Sequence, residues 1–319
     1  MGINETIWPG VFAALIGFAA LYFLAEQVAR RGAAWPRFAS VGYISAILLL
    51  AICWAVGVHA WLIEPRTLVV RHVDVVSEHW SGPPLTIGAI ADTHVPGPHA
   101  DPARIRSVVA TMNRQNPDVV VLLGDYVGEG EQRIDRSEDV YAATDEGIEA
   151  FSGLEAPFGV FAVLGNRDRT FDRASIARGL DMAGVVLLAG RSVRISRPAG
   201  DFAIVGLANE EDAEADVNAA LAAAPSGNRV VISHSPEPFE ALPSDVALML
   251  AGHTHCGQVS VPFFGRPITH LGENSAYACH RVDERGRTLY TTAGIGTSGL
   301  PVRFLNPPEI VVITIRSAN

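Results

Sequence analysis

The chain has 319 residues, enough for one large domain or two ordinary ones, and 49% of them are hydrophobic. Its 24 basic residues, all arginine, face 34 acidic ones for a net charge of −10, which excludes binding to nucleic acid or an anionic membrane surface by general charge. Any phosphate handled by so acidic a chain must be held locally, as by metal ions.

The apolar excess is concentrated early in the chain. Residues 7–25 carry no charge, and residues 41–63 form a second run whose ionisable groups are Tyr43, Cys53 and His59. Each run is long enough to cross roughly 30 Å of hydrocarbon as a helix, so transmembrane helices are predicted at about 7–28 and 41–63. The alternative is a pair of buried core helices. Before the first run stands Glu5 and no basic residue, unlike the leader of a cleaved signal peptide, so residues 1–63 are expected to be a retained membrane anchor. Arg30, Arg31 and Arg37 lie between the runs, against Arg66 and Arg71 after them. That excess puts the link in the cytoplasm and the bulk of the chain on the outer side of a cell membrane crossed twice.

A linker and first strand are expected at 64–85, and from 86 to 319 short β-branched runs alternate with helical patterns, as in an α/β domain. Strands are predicted at 85–91, 119–123, 160–164, 202–207, 229–233, 246–251, 288–292 and 310–315. Helices are predicted at 101–115, 140–153, 174–183 and 213–223. The acidic run 210–216 reads as a helix start, where negative charge suits the dipole. Cys256 and Cys279 are too few for a disulfide scaffold; free thiols are expected, with one bridge between them as the alternative in an oxidising compartment.

Several predicted strands end in metal-ligating residue types. GAIADTH ends in Asp92 and His94, VVVLLGD in Asp125, FAVLGN in Asn166, VVISH in His234, and LMLAGHTH in His253 and His255. In open α/β sheets ligands gather beyond the carboxyl ends of strands, so five strand ends bring seven oxygen or nitrogen donors to one place. Singly, such a histidine or aspartate is more often structural; the ordered set is what points to a site. Two carboxylates, a carboxamide and four imidazoles suit borderline divalent cations. Seven donors exceed the needs of one tetrahedral ion, so a pair of ions sharing a carboxylate is the economical arrangement.

These motifs, Asp92-Thr-His94, Gly124-Asp125, Gly165-Asn166-Arg167-Asp168, His234 and Gly252-His253-Thr254-His255, resemble the signature of the calcineurin-like metallophosphoesterase superfamily over residues 85–315. The stretches AGHTHCGQVSVPFFG and TTAGIGTSGLPVRFLNPPEIVVI are similar to its membrane-associated bacterial branch, which includes envelope phosphodiesterases and a lipid A precursor pyrophosphatase. The resemblance implies a four-layer α/β/β/α sandwich. It also implies two divalent ions, manganese, iron or zinc: Asp92, His94 and His255 on one, Asn166, His234 and His253 on the other, and Asp125 bridging. The implied activity is hydrolysis of a phosphodiester or pyrophosphate bond, and the anchor adds the expectation of a membrane partner and a lipid-linked or envelope substrate.

Gly165, with no side chain, is expected to let the backbone turn tightly and deliver Asn166. Asp168 is expected either to orient Arg167 or a ligand imidazole, or to cap the following helix. Arg167 departs from the family pattern, which has histidine there. Arginine stays charged and can hold an oxyanion with two donors, but it is a poor proton donor. Three expectations follow: a substrate whose leaving group needs little protonation, another acid such as His99, or a degenerate site that binds phosphoesters without fast turnover.

Overall fold

In the computed structural model residues 3–31, 37–128, 136–198, 200–208, 213–222, 224–225, 227–267 and 276–318 are described. The first elements are two long helices, α1 (Ile3–Arg31) and α2 (Arg37–Val58). The Trp54 indole N–H donates to the Ala14 carbonyl at 2.9 Å, fastening one to the other. Windows 11–30 and 40–66 are long and apolar enough to cross a membrane, and neither is buried by the rest of the chain. Phe12, Leu15, Ile16, Phe18, Leu48 and Leu49 lie exposed along them, which removes the buried core-helix alternative. From α2 the chain passes through one wide helical turn (His59–Ile63) and one tight turn (Glu64–Arg66) directly into a sheet.

Two six-stranded sheets follow. The first has the order β1-β12-β2-β3-β4-β5, built from β1 (Val69–Ser77), β2 (Leu85–Ile90), β3 (Val119–Leu122), β4 (Val160–Ala162), β5 (Val186–Leu187) and β12 (Glu309–Ser317). Strands β2 to β5 run parallel, in registers such as Ile87↔Val119 and Val120↔Val160. The second has the order β10-β11-β9-β8-β7-β6, from β6 (Arg191–Ile195), β7 (Phe202–Gly206), β8 (Arg229–Ile232), β9 (Leu248–Ala251), β10 (His280–Glu284) and β11 (Arg287–Thr291). Here β7, β8, β9 and β11 run parallel. Strands such as β3 (VVVL) and β9 (LMLA) are buried at every residue, as parallel strands covered on both faces must be.

The sheets face one another across a core that mixes Ile87, Val119, Val121 and Ile313 of the first with Ile204, Val230, Ile232 and Leu250 of the second. Helices α3 (Pro102–Asn113), α4 (Glu138–Glu149) and α5 (Asn166–Met182) cover the other face of the first sheet through Ile105, Val108, Met112, Ile148, Ile176 and Leu180. Helix α6 (Ala213–Ala222) and the turn Glu237–Phe239 cover the second through Val217, Ala220 and Phe239. Each fully buried aliphatic side chain stabilises this arrangement by about 1.5–3 kcal/mol.

The predicted strands are all present, with ends moved by at most two residues. The strand in segment 64–85 is the nine-residue β1, which pairs in parallel with β12. Helix α5 begins at Asn166, not near residue 174, and kinks at Asp172, whose carboxylate accepts from Ser175 N at 3.0 Å and starts the second half. The predicted helix is that second half. Residues 210–212 of the acidic run lie outside the described residues. The thiols are not free: Cys256 and Cys279 form a disulfide with their Cα atoms 4.6 Å apart, because the start of β10 pairs with the end of β11, which lies beside the end of β9.

Candidate metal centre

The strand-end residues do converge. Past β2 lie Asp92 and His94, past β3 Asp125, past β4 Asn166, past β8 His234 and past β9 His253 and His255. Two groups have donor atoms within 4.8 Å of one another, Asp92 with His94 and His255, and Asp125 with His234 and His253. Asn166 joins the second group, its Oδ1 lying 3.0 Å from His234 Nε2. Asp125 stands between them: its Oδ2 is 3.8 Å from His94 Nε2 and its Oδ1 is 3.5 Å from His234 Nε2.

The backbone bends sharply to achieve this. Asp92, His94, Asp125, His253 and His255 all have φ between 47° and 71°, a left-handed conformation that costs a residue with a Cβ roughly 1–2 kcal/mol. The surrounding hydrogen bonds hold them there: His253 N donates to both Asp92 oxygens, at 3.1 and 3.0 Å, and Asp92 N and His94 N donate to the carbonyls of Gly124 and Asp125.

Gly165 corrects the expectation that its lack of a side chain serves a tight backbone turn. Its φ of −84° and ψ of 174° are open to any residue. What the position forbids is a Cβ, which would collide with the Asp125 carboxylate. Gly252 is constrained in the same way, since a Cβ there would lie 2.7 Å from Asp92 Oδ2. Of these three glycines before ligands, Gly124, with φ of 89°, is the one that uses its conformational freedom.

Asp168 is fully buried and accepts four backbone N–H groups, from Asp125 (2.8 Å), Tyr126 (2.8 Å), Val127 (3.3 Å) and Gly165 (2.8 Å). It caps α5 and locks the turns carrying Asp125 and Asn166 together. Its bonds go to backbone, not to Arg167 or an imidazole, so both expectations for it resolve into a clamp.

The electrostatics make a site short of positive charge. His94 Nδ1 lies 3.2 Å from the Val127 carbonyl and His234 Nδ1 2.9 Å from that of Leu123. A carbonyl can only accept, so each ring keeps its proton on Nδ1 and points the Nε2 lone pair inward. His94 Nε2 meets His255 Nε2 at 3.0 Å, and His234 Nε2 meets His253 Nδ1 at 3.1 Å. Burial, followed by the charge of Arg167, drives His94 down to about 3; burial also takes His234 down to about 4. His255 falls well below its ordinary value through burial and the nearby His94. These three rings are therefore neutral. Burial and the charge of Asp125 push Asp92 well above the carboxylate range. The inward lone pairs of His94 and His234, set beside the Asp92 and Asp125 carboxylates and the Asn166 carboxamide oxygen, are the donors that divalent ions take, so these residues fit such ions.

Arg167 is half-buried beside this arrangement. Its backbone N–H donates to Asp125 Oδ1 at 3.0 Å, and its charge is felt at His94, Asp125 and His234. His99 does not join the centre: its Nε2 is 3.0 Å from the Pro301 carbonyl, and burial lowers it to about 4, which makes it a poor acid at neutral pH.

Arg303 was not foreseen. Fully buried, it donates to the carbonyls of Ala293 (2.7 Å), Gly296 (2.6 Å) and Asn306 (3.1 Å) and brings Nη2 to 3.5 Å from His255 Nδ1. Burial lowers it to about 10, against the attraction of Asp92, so it stays charged. An arginine set among small residues and prolines in GIGTSGLPVRFLNPPE was the available signal.

Comparison with known proteins agrees with this geometry. A family model described as calcineurin-like phosphoesterase matches residues 85–257. The phosphodiesterase YaeI of Escherichia coli (strain K12) is 30% identical, over 66% of this chain and 75% of its own. A Bacillus subtilis (strain 168) protein described as the uncharacterized metallophosphoesterase YkuE is 27% identical, over 67% of this chain and 73% of its own. A Danio rerio protein described as a transmembrane protein with metallophosphoesterase domain is 27% identical, over 95% of this chain and 70% of its own.

Proposed function

The chain belongs to the calcineurin-like phosphoesterase family and is a metal-dependent hydrolase; from that premise we propose that it is a membrane-anchored enzyme that uses two divalent ions to cleave a phosphodiester or pyrophosphate bond of a lipid or envelope substrate. The observation that carries the two-ion reading is the position of Asp125, with one carboxylate oxygen facing His94 and the other facing His234. In this reading Asp92, His94 and His255 hold one ion, Asn166, His234 and His253 the other, and Asp125 both. Manganese, iron and zinc all suit the donors. When bound, the ions supply the Lewis acidity that makes a water nucleophilic and offsets charge on the phosphoryl oxygens.

The chain's own residues do the rest. Val127 and Leu123 carbonyls keep the lone pairs of His94 and His234 turned inward, and the Asp168 clamp fixes the turns that carry Asp125 and Asn166. The Arg167 guanidinium binds phosphoryl oxygens with two donors and stabilises the charge that builds there. It gives no proton, which suits a leaving group that needs none. The helix, sheet, sheet and helix layers support the four-layer sandwich.

Helices α1 and α2 support membrane anchoring, with the domain on the outer side. The arginines of the link favour that side, and the Cys256–Cys279 bridge suits an oxidising compartment. An outer location argues against a nucleotide-linked substrate of the cytoplasmic leaflet; a reporter fused at residue 319 reads the side directly. The activity is tested with the full chain and manganese, iron or zinc on bis-p-nitrophenyl phosphate and on lipid-linked pyrophosphates. Turnover abolished by Asp125→Ala is expected. Absence of turnover in both the native chain and Arg167→His overturns the proposal.

A further inference from the structure

We propose that the loops 258–265 and 298–306 form a face that seats in the interfacial layer of the same bilayer that α1 and α2 cross, holding the metal centre at the membrane surface so that phosphoester substrates enter from the plane of the bilayer. The inference rests on reading α1 and α2 as spans, and it adds a second, separate contact with the lipid.

The face is apolar where solvent would normally select polar residues. Phe263 and Phe264 are 104% and 86% exposed, Leu300 68% and Leu305 56%. Single exposed apolar residues are ordinary on protein surfaces, but these four lie on two loops bonded to each other. Ser260 N donates to the Phe304 carbonyl at 2.8 Å, and Phe304 N to that of Gln258 at 3.0 Å. The Gln258 side chain donates to the carbonyls of Ser298 and Leu300 and accepts from Ser298 N. The phenylalanines occupy the tip of a turn closed by Val261 N to Gly265 O (2.8 Å) and Gly265 N to Val261 O (2.9 Å), which holds them outward.

The occupant follows from what these loops are tied to. Arg303 N donates to the Ala60 carbonyl at 2.9 Å, in the turn that ends the second apolar window, and Asn306 N donates to the Glu64 carboxylate. The loops are thus fixed to the point where α2 leaves the hydrocarbon, beside the half-exposed Ile63. Exposed Arg66 and Arg266 flank the face, as basic residues do at the headgroup level beside buried apolar anchors. The same loops support the candidate centre: the Asn306 carboxamide donates to the His255 and Cys256 carbonyls at 2.8 and 3.1 Å. A lipid-seated face therefore fixes the distance of that centre from the headgroups.

The test uses the full chain in phosphatidylcholine–phosphatidylglycerol vesicles. The fluorophore NBD is attached at residue 264 in Cys53→Ser/Phe264→Cys, at residue 300 in Cys53→Ser/Leu300→Cys, and at native Cys53 of α2, while Cys256 and Cys279 stay paired. Phe264 and Leu300 are exposed, so neither substitution removes packing. The expected result is quenching of positions 264 and 300 by shallow doxyl-lipids, by about two-fold or more, with little quenching by aqueous iodide, and quenching of Cys53 by deep doxyl-lipids. If Cys53 is quenched by lipid while 264 and 300 respond only to iodide, the face is in water; the proposal falls and the anchor stands. If 264 and 300 are shielded from both quenchers, protein covers the face and the lipid occupant is wrong. If Cys53 is not reached by lipid, the anchor reading fails and takes the proposal with it.

Discussion

Asp168 accepts the backbone N–H of Asp125 at 2.8 Å, so one buried carboxylate positions another whose oxygens face the two donor groups. The second carboxylate is held by its main chain, and of its own oxygens Oδ1 accepts the Arg167 N–H at 3.0 Å.

Asp168→Asn therefore removes more than one bond. The carboxamide turns an NH2 toward backbone donors and leaves buried N–H groups unpaired. A loss of about 2–4 kcal/mol in stability is expected, with divalent-ion affinity reduced 10–100-fold. Chemical denaturation and metal titration measure the two effects.

Gly165→Ala places a methyl group against the Asp125 carboxylate. We expect hydrolysis to fall by at least about 100-fold, a cost of roughly 3 kcal/mol, through displacement of Asp125. Gly153→Ala, whose added methyl meets Val109 at an ordinary 3.4 Å, serves as the control and should retain native activity.

The pH dependence of ion binding follows from the carboxylates, not the imidazoles. Burial lifts Asp125 to about 7, opposed by the N–H and charge of Arg167. His94 and His234, lowered to about 3 and 4, carry no proton to displace above pH 5. Protons on Asp125 and on Asp92, which burial holds well above the carboxylate range, compete with the ion, so affinity should fall by at least about tenfold per pH unit from 7 to 5. Calorimetric titration of the ion-free protein between pH 5 and 8 checks the slope; a flat profile contradicts it.

Reduction of the Cys256–Cys279 bridge, which spans 23 residues, is expected to lower stability by about 3 kcal/mol. Cys256 adjoins His255, so ion affinity should fall as well. Thermal melts and ion titrations with and without reductant make the comparison, with Cys256→Ser/Cys279→Ser as the permanent form.

The parallel strands and the polar residues at their ends were legible because both signals are local. An apolar run buried on both faces must be apolar throughout, and Asp92, Asp125 or His234 then stands out against it. The edge strands were less so: β6 (RSVRI) and β10 (HRVDE) carry charge and are mostly part-exposed, as edges exposed to water do, which masks their alternation. Gly165 shows a different limit. Its neighbour in space, Asp125, lies forty residues earlier, and spacing along the chain does not show that a Cβ would meet a carboxylate. Arg303 was hidden for the same reason, since its partners are carbonyls, which every residue has.

Strand β12 lies between β1 and β2, although more than two hundred residues separate β2 from β12 in the chain. The first sheet cannot close during synthesis until that late strand has emerged from the ribosome. Until then β2, with Asp92 and His94 at its end, has an open edge, and His253 and His255 arrive only after β9. The full donor set therefore comes together only late in synthesis, once the chain has been made past His255.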